Sequence, residues 1–158
     1  ASAELLVQAA ARTFGVPYLI TRSCNNFGPG QDGEKFLPTV FRSIKEGKEV
    51  PVYGDGMQSR EWIHVDDNVK VILKLILSAP ENQIYNIGTG DQIKNIDIVK
   101  SVGEYLGAEV KYKHVDDRLG HDKVYSLNNS KLNTFLGKRH YKTLEGFLKD
   151  QADESKRG

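Results

Sequence analysis

The chain has 158 residues, with 22 Lys plus Arg against 21 Asp plus Glu and a formal charge of +1. That size fits one domain or part of a larger enzyme, and the even charge balance argues against a nucleic-acid binder. A hydrophobic share of 39% and a charged share of 27% exclude a long disordered tract, and the lone Cys24 excludes an internal disulfide framework. Apolar runs are a few residues long, too short to cross a membrane. Ala1 to Ala11 carries Glu4 and no basic stretch, so it does not read as a signal peptide. With a single cysteine, a reducing, cytoplasmic setting is expected.

In chain order, Ala1 to Phe14 predicts a helix with an apolar face of Leu5, Leu6, Ala9 and Ala10, stopped by Gly15 and Pro17. Ser2 is the only weak cap candidate at its start, and the expectation is that something precedes it. Tyr18 to Ser23 predicts a buried strand, and Asn25 to Gly33 a loop of turn formers. Pro38 opens the next helix, which Gly47 ends. Val50 to Tyr53 predicts a strand, Asp55-Gly56 a tight turn, and Ser59 to Val65 a returning strand. Asp66 is expected to cap a helix from Asp67 to Leu77, and Asn95 one ending near Leu106. Between these helices lies a strand from Ile84 to Ile87, and another follows at Glu109 to His114. Short helices are expected after Ser130 and Thr143, with a charged, fraying tail from Asp153 to Gly158. The alternation of strand and helix makes the class α/β.

Single motifs carry little chemistry. Gly88-Thr89-Gly90 follows a strand, but Ile93 stands where a dinucleotide fingerprint needs its third glycine, so a plain turn is the better reading. The four histidines lack metal-ligand spacing, and no G-x-S-x-G turn is present. Cys24 reads as a structural cysteine and Asp66 as a cap. Three loop clusters are more informative. The first holds Asn25, Asn26, Glu34 and Lys35; the second runs from Gln58 to Trp62; the third holds Arg118, Gly120, His121, Asp122 and Tyr125. Arg60, Arg118, Lys35 and His121 come from separate loops, and their convergence would suit a pyrophosphate, because a guanidinium donates paired hydrogen bonds to phosphate oxygens.

The order SCNNFGPGQDGEKFLPTVF, PVYGDGMQSREWIHVDD, YNIGTGDQIKNIDIV and DRLGHDKVYSLNNSKL resembles the C-terminal half of the dTDP-glucose 4,6-dehydratases. These are extended short-chain dehydrogenase/reductase enzymes acting on nucleotide sugars, and the resemblance runs from Ala1 to about Leu148. The N-x-[FY]-G-P and R-x-[WF]-x-x-V-x-D segments are shared with nucleotide-sugar epimerases and decarboxylases. The E-K-[FL]-[IL]-P and D-R-x-G-H-D-x-x-Y segments point more narrowly to the dehydratases. The resemblance implies that Asn25 and Asn26 approach the nicotinamide end and the sugar diphosphate, with Glu34 in the same loop. It puts Lys35 and Leu37 along the nucleotide, Pro51 and Tyr53 beside the base, and Arg60 on the diphosphate. Asn95 would bond the nucleotide part, its alternative being the helix cap, and Arg118 and His121 would make the last contacts. Leu119 departs from the family's usual proline, and Lys138 from a common tryptophan.

By the same resemblance the fold is the last Rossmann elements, residues 1–24, plus a smaller mixed α/β nucleotide-sugar-binding domain over 25–150 and a charged tail at 151–158. The cofactor is NAD, which takes hydride from C4 of the hexose and returns it to C6 after water leaves across C5 and C6. The Tyr-x-x-x-Lys pair that the family uses is expected upstream of residue 1, leaving no catalytic residue in this chain and the fragment inactive alone. The substrate implied is dTDP-glucose, the assembly a homodimer through the first helix, with no nucleic acid, membrane or metal. The alternatives are a UDP-sugar 4-epimerase, a UDP-glucuronate decarboxylase, a non-catalytic nucleotide-sugar-binding module, or a purely structural partner without nucleotide affinity.

Overall fold

A computed structural model describes residues 2–157, and the backbone alone at 152 and 154–157. Ala1 and Gly158, the outer ends of the expected first helix and tail, lie outside the described residues. Helix α1 (Ser2–Phe14) closes where Gly15, in the left-handed region at φ +67°, donates its N–H to Ala11. Its Glu4 pairs with Arg22 on β1 (Leu19–Ser23), yet none of its residues is buried. Strand β1 is half-buried rather than buried, with the parallel β5 (Gln83–Ile87) as its ladder partner.

The chain then enters β2 (Asn25–Phe27), expected as loop; pairing with β4 (Ser59–His64) overrides the weak strand preference of asparagine. Helix α2 (Phe36–Lys45) carries Pro38 in its first turn, where the missing N–H costs nothing. Strand β3 (Val50–Tyr53) turns at Asp55-Gly56 as expected, Gly56 N–H reaching Tyr53 at 3.1 Å. The two strands nevertheless form no hairpin. β3 pairs in parallel with β7 (Tyr112–Val115), while β4 pairs with β2, with antiparallel β6 (Gln92–Lys94) and with β8 (Val124–Tyr125). At the turn a Cβ on Gly56 would stand 2.7 Å from Val52 Cγ1 and 3.0 Å from Ile96 Cβ, so the close packing there suits glycine.

Helix α3 (Val65–Ser78) is capped by His64, not Asp66: the His64 Nδ1 accepts the Asp66 N–H at 3.2 Å. Asp66 instead pairs with Lys142 at 3.0 Å, which holds its carboxyl below the usual carboxylate range. Helix α4 (Asn95–Leu106) begins at Asn95 without a side-chain cap, so that asparagine is free for another role. Helices α5 (Ser130–Leu136) and α6 (Leu144–Arg157) follow; α6 runs through most of the segment expected as a fraying tail.

Side chains alternate across a strand, and β4 uses both faces. Trp62 joins a core of Phe27, Leu37, Val40, Val52, Ile98 and Leu148 under α2, α4 and α6. Ile63 joins a second core with Cys24, Leu75, Ile87 and Leu132 under α3 and α5. Burial pushes the Cys24 thiol up to about 12, so this cysteine is structural rather than nucleophilic.

Candidate functional site

A cleft of about 310 Å³ opens where β2, β3, β4 and α4 converge. It gathers Asn25, Glu34, Pro51, Tyr53, Arg60, Asn95, Arg118 and His121 from six separate stretches of chain. The alternation of β2 and β4 places Asn25 and Arg60 on the side of the first core. Strand β3 sends Val52 into that core and leaves Tyr53 exposed at the cleft.

The remaining expected residues lie elsewhere. Asn26 points to the opposite face of β2, where its Oδ1 accepts from Asn68 Nδ2 at 2.8 Å and its Nδ2 donates to the Cys24 carbonyl at 3.1 Å. Lys35 is exposed at the N-cap of α2, and Leu37 is fully buried in the first core. Leu37 borders instead a larger cavity of about 450 Å³ across α2, with Pro38, Phe41, Arg42 and Phe147. Trp62, named with the second loop cluster, also lines the cleft. The walls that the sequence did not indicate are Phe36, Thr39, Val40 and Val50, most of them apolar residues whose spacing marks core before it marks a site.

Positive charge collects on one side of the cleft. Arg118 lies over the Tyr53 ring, its Cζ 4.4 Å from the centroid, and the His121 ring meets Tyr53 edge-on at 6.5 Å. Asp117, unassigned in sequence, organises this corner. Its Oδ1 accepts the Arg118 N–H at 2.9 Å and contacts His121 Nδ1 at 2.6 Å; its Oδ2 accepts from Gln58 Nε2 at 2.9 Å. The bond to His121 is the main reason its carboxyl sits below the usual range. With Nδ1 turned to Asp117, the other ring nitrogen is left for a ligand. Arg60 donates to the Ser59 carbonyl at 2.8 Å, which leaves most of its guanidinium donors at the cleft. Trp62 Nε1 and Gln58 Oε1 are buried beside the cleft without a partner among the described residues.

The Gly88–Gly90 turn holds no phosphate: the Glu61 carboxylate occupies it, Oε2 accepting the Gly90 N–H at 3.2 Å. Among the described residues no group of His, Cys, Asp and Glu is arranged to hold a metal ion, and no helix is long and apolar enough to cross a membrane.

The α/β fold with its mostly parallel strand pairs, and the cleft of cationic and amide groups on it, have close counterparts among known proteins. The chain belongs to the NAD dependent epimerase/dehydratase family, whose model matches residues 1–88. It is 38% identical over 138 residues to a dTDP-glucose 4,6-dehydratase of Streptomyces niveus, covering 87% of this chain and 41% of the relative. It is 34% identical over 157 residues to dTDP-glucose 4,6-dehydratase 1 of Escherichia coli K12, covering 94% and 44%. Among solved structures, the dTDP-glucose 4,6-dehydratase of Streptomyces venezuelae with NAD bound superposes with a TM-score of 0.90 at 34% identity, over 98% of this chain and 48% of that one. UDP-glucose 4-epimerase of Thermotoga maritima with UDP-glucose gives 0.88 at 28%, over 99% and 51%. The chain thus spans less than half the length of the curated relatives named here.

Proposed function

We propose that this chain is the nucleotide-sugar-binding part of a cytoplasmic, NAD-dependent dTDP-glucose 4,6-dehydratase, and that the cleft beside β4 anchors the substrate's nucleotide diphosphate. The observation that carries the reading is the convergence of Arg60, Arg118 and His121 around Tyr53, with Asn25 and Asn95 on the facing walls. Tyr53 offers the aromatic platform for a pyrimidine base. Arg60 and Arg118 balance the diphosphate charge, and the amides of Asn25 and Asn95 serve the uncharged oxygens. The orphaned Trp62 Nε1 fits a site completed by a ligand, since buried polar groups seldom go unpaired.

NAD supplies hydride transfer in such an enzyme, but the residues here do not fit a dinucleotide site. The Gly88-Thr89-Gly90 turn is filled by Glu61, and Asn25 is the candidate contact. No tyrosine of the chain is followed four positions on by lysine. The work proposed for these residues is therefore binding and orientation: remote contacts hold the hexose in register for chemistry done by other groups. In the proposed whole enzyme, residues 1–24 belong to the Rossmann part, and α1, with Leu5 and Leu6 exposed, contributes a homodimer face.

Calorimetric titration with dTDP-glucose, UDP-glucose and dTDP tests this. Saturable binding is expected, with dTDP-glucose preferred and with Arg60→Ala weakening it by about 1.5–3 kcal/mol, the range for a hydrogen bond to a charged group. Equal affinity of Arg60→Ala for dTDP-glucose contradicts the assignment, and preference for UDP-glucose favours the epimerase reading.

A further inference from the structure

Arg60 and Trp62 leave β4 toward the cleft, while Glu61 leaves it on the opposite face and is 0% exposed. No ion pair among the described residues involves its carboxylate. Three hydrogen-bond donors hold it instead. Oε1 accepts from Ser126 Oγ at 2.5 Å and from the Leu127 N–H at 2.9 Å; Oε2 accepts the Gly90 N–H at 3.2 Å. The neighbouring turn is moulded on it, since a Cβ at Gly88 would stand 2.4 Å from Oε2. A buried carboxylate is costly unless its oxygens are satisfied, so its presence here calls for a reason beyond packing.

The reason lies in what Ser126 and Leu127 terminate. Residues 116–123 form the stretch that carries Arg118 and His121. At its near end β7 is secured by a four-residue ladder with β3. At its far end β8 is two residues long and exposed, paired only with Ser59 and Arg60. Such a short ladder is a weak anchor on its own. Glu61 adds two charge-assisted bonds immediately beyond it, from the very strand that bears Arg60.

We infer that Glu61 is a positioning residue for the anion-binding wall: it clamps the end of the 116–127 segment to β4, so that Arg118 and His121 stand in fixed relation to Arg60. The inference rests on the nucleotide-sugar reading of the cleft. It assigns Glu61 no contact with the substrate.

The test compares Glu61→Gln, Ser126→Ala and Ser126→Thr with the unaltered chain by dTDP-glucose titration, thermal unfolding and backbone hydrogen exchange. In Glu61→Gln the new NH₂ group faces the Gly90 N–H, donor against donor. Affinity is expected to fall roughly 10-fold, in line with the loss of a charge-assisted bond. Exchange at amides 118–127 quickens while α2 and α4 keep their protection. Ser126→Ala shows a smaller loss, about 3-fold, and Ser126→Thr, which keeps the hydroxyl, restores it. A folded Glu61→Gln with unchanged affinity overturns the inference, even where its thermal midpoint is lower, because that is what a purely structural carboxylate does. Should Glu61→Gln fail to fold, the Ser126 pair decides on the same criteria. If the unaltered chain binds no dTDP-glucose, the nucleotide-sugar reading falls; the exchange data then decide separately whether Glu61 holds the segment, and unchanged exchange at 118–127 overturns the clamp.

Discussion

The two apolar clusters that meet at β4 are closed in different ways. The first is enclosed by its own chain: Phe27, Leu37, Val40, Ile98, Val99 and Val102 are almost wholly shielded by α2, α4, α6 and the sheet. The second has an interior of similar quality in Ile63, Leu75, Ile87 and Leu132, but its helices carry apolar residues outward. On α3, Leu73, Ile76 and Leu77 are exposed, the last at 83%; α1, which gives no residue to either cluster, exposes Leu6 at 71%. Single exposed apolar side chains are common on protein surfaces, but on α3 three of them share one helix. The cleft is built on the closed cluster, with Val50 and Trp62 serving both core and wall, while its Arg118–His121 side also leans on the other face of β4 through Glu61.

The largest effect that can break this comparison is in the closed core. Phe27→Ala removes a ring packed against His64 and Phe147, and a loss of about 3–5 kcal/mol is expected in denaturant unfolding. A loss below about 1 kcal/mol would mean the cluster is looser than its burial implies. Cys24, inside the second cluster, sharpens the comparison next. With its thiol raised to about 12, it should resist alkylation at pH 8 in the folded chain and react readily in denaturant. Because the thiol form is favoured on folding, its contribution to stability is whole below the ordinary cysteine range and is lost as pH rises through that folded value.

Asp117 gives a smaller, acid-side effect. Its carboxyl is lowered chiefly by His121, so the contribution of that contact is present above the ordinary carboxylate range and lost as pH falls through the lowered value. Asp117→Asn should remove that acid dependence from thermal unfolding followed against pH, while a profile unchanged by the substitution would break the pairing. The smallest effect belongs to the open faces. Leu77→Ser should change stability by no more than about 0.5 kcal/mol, as expected of an exposed position, while Leu6→Ser reduces self-association in sedimentation.

Elements with long apolar periods were legible in the sequence: α1, α3, α4 and the strand at Val50–Tyr53 fall where their patterns put them. The misses have a common cause in tertiary contact. β6 and β8 are three and two residues long, too short for a period to show, and exist because β4 offers them a ladder. The hairpin failed because a turn signal fixes a local bend, not the strand that follows as partner; β3 pairs instead with β7. At the cleft, loop polarity pointed to Arg60, Arg118 and His121, which the fold does bring together. It gave no way to separate Asn25 from Asn26 until β2 proved to be a strand with two faces. Asp117 and Glu61 act through neighbours far away in sequence, Gln58 and Ser126 among them, and spacing alone carries no trace of such bonds.

The central claim is that a nucleotide diphosphate seats between Arg60 and Arg118 with its base on Tyr53. A crystal structure of the chain grown with dTDP tests it most directly. The account predicts phosphate oxygens about 2.7–3.2 Å from both guanidinium groups, the range of a direct hydrogen bond, and the thymine ring against Tyr53. Density for dTDP in the cavity across α2, with Arg60 and Arg118 left in solvent, would contradict it.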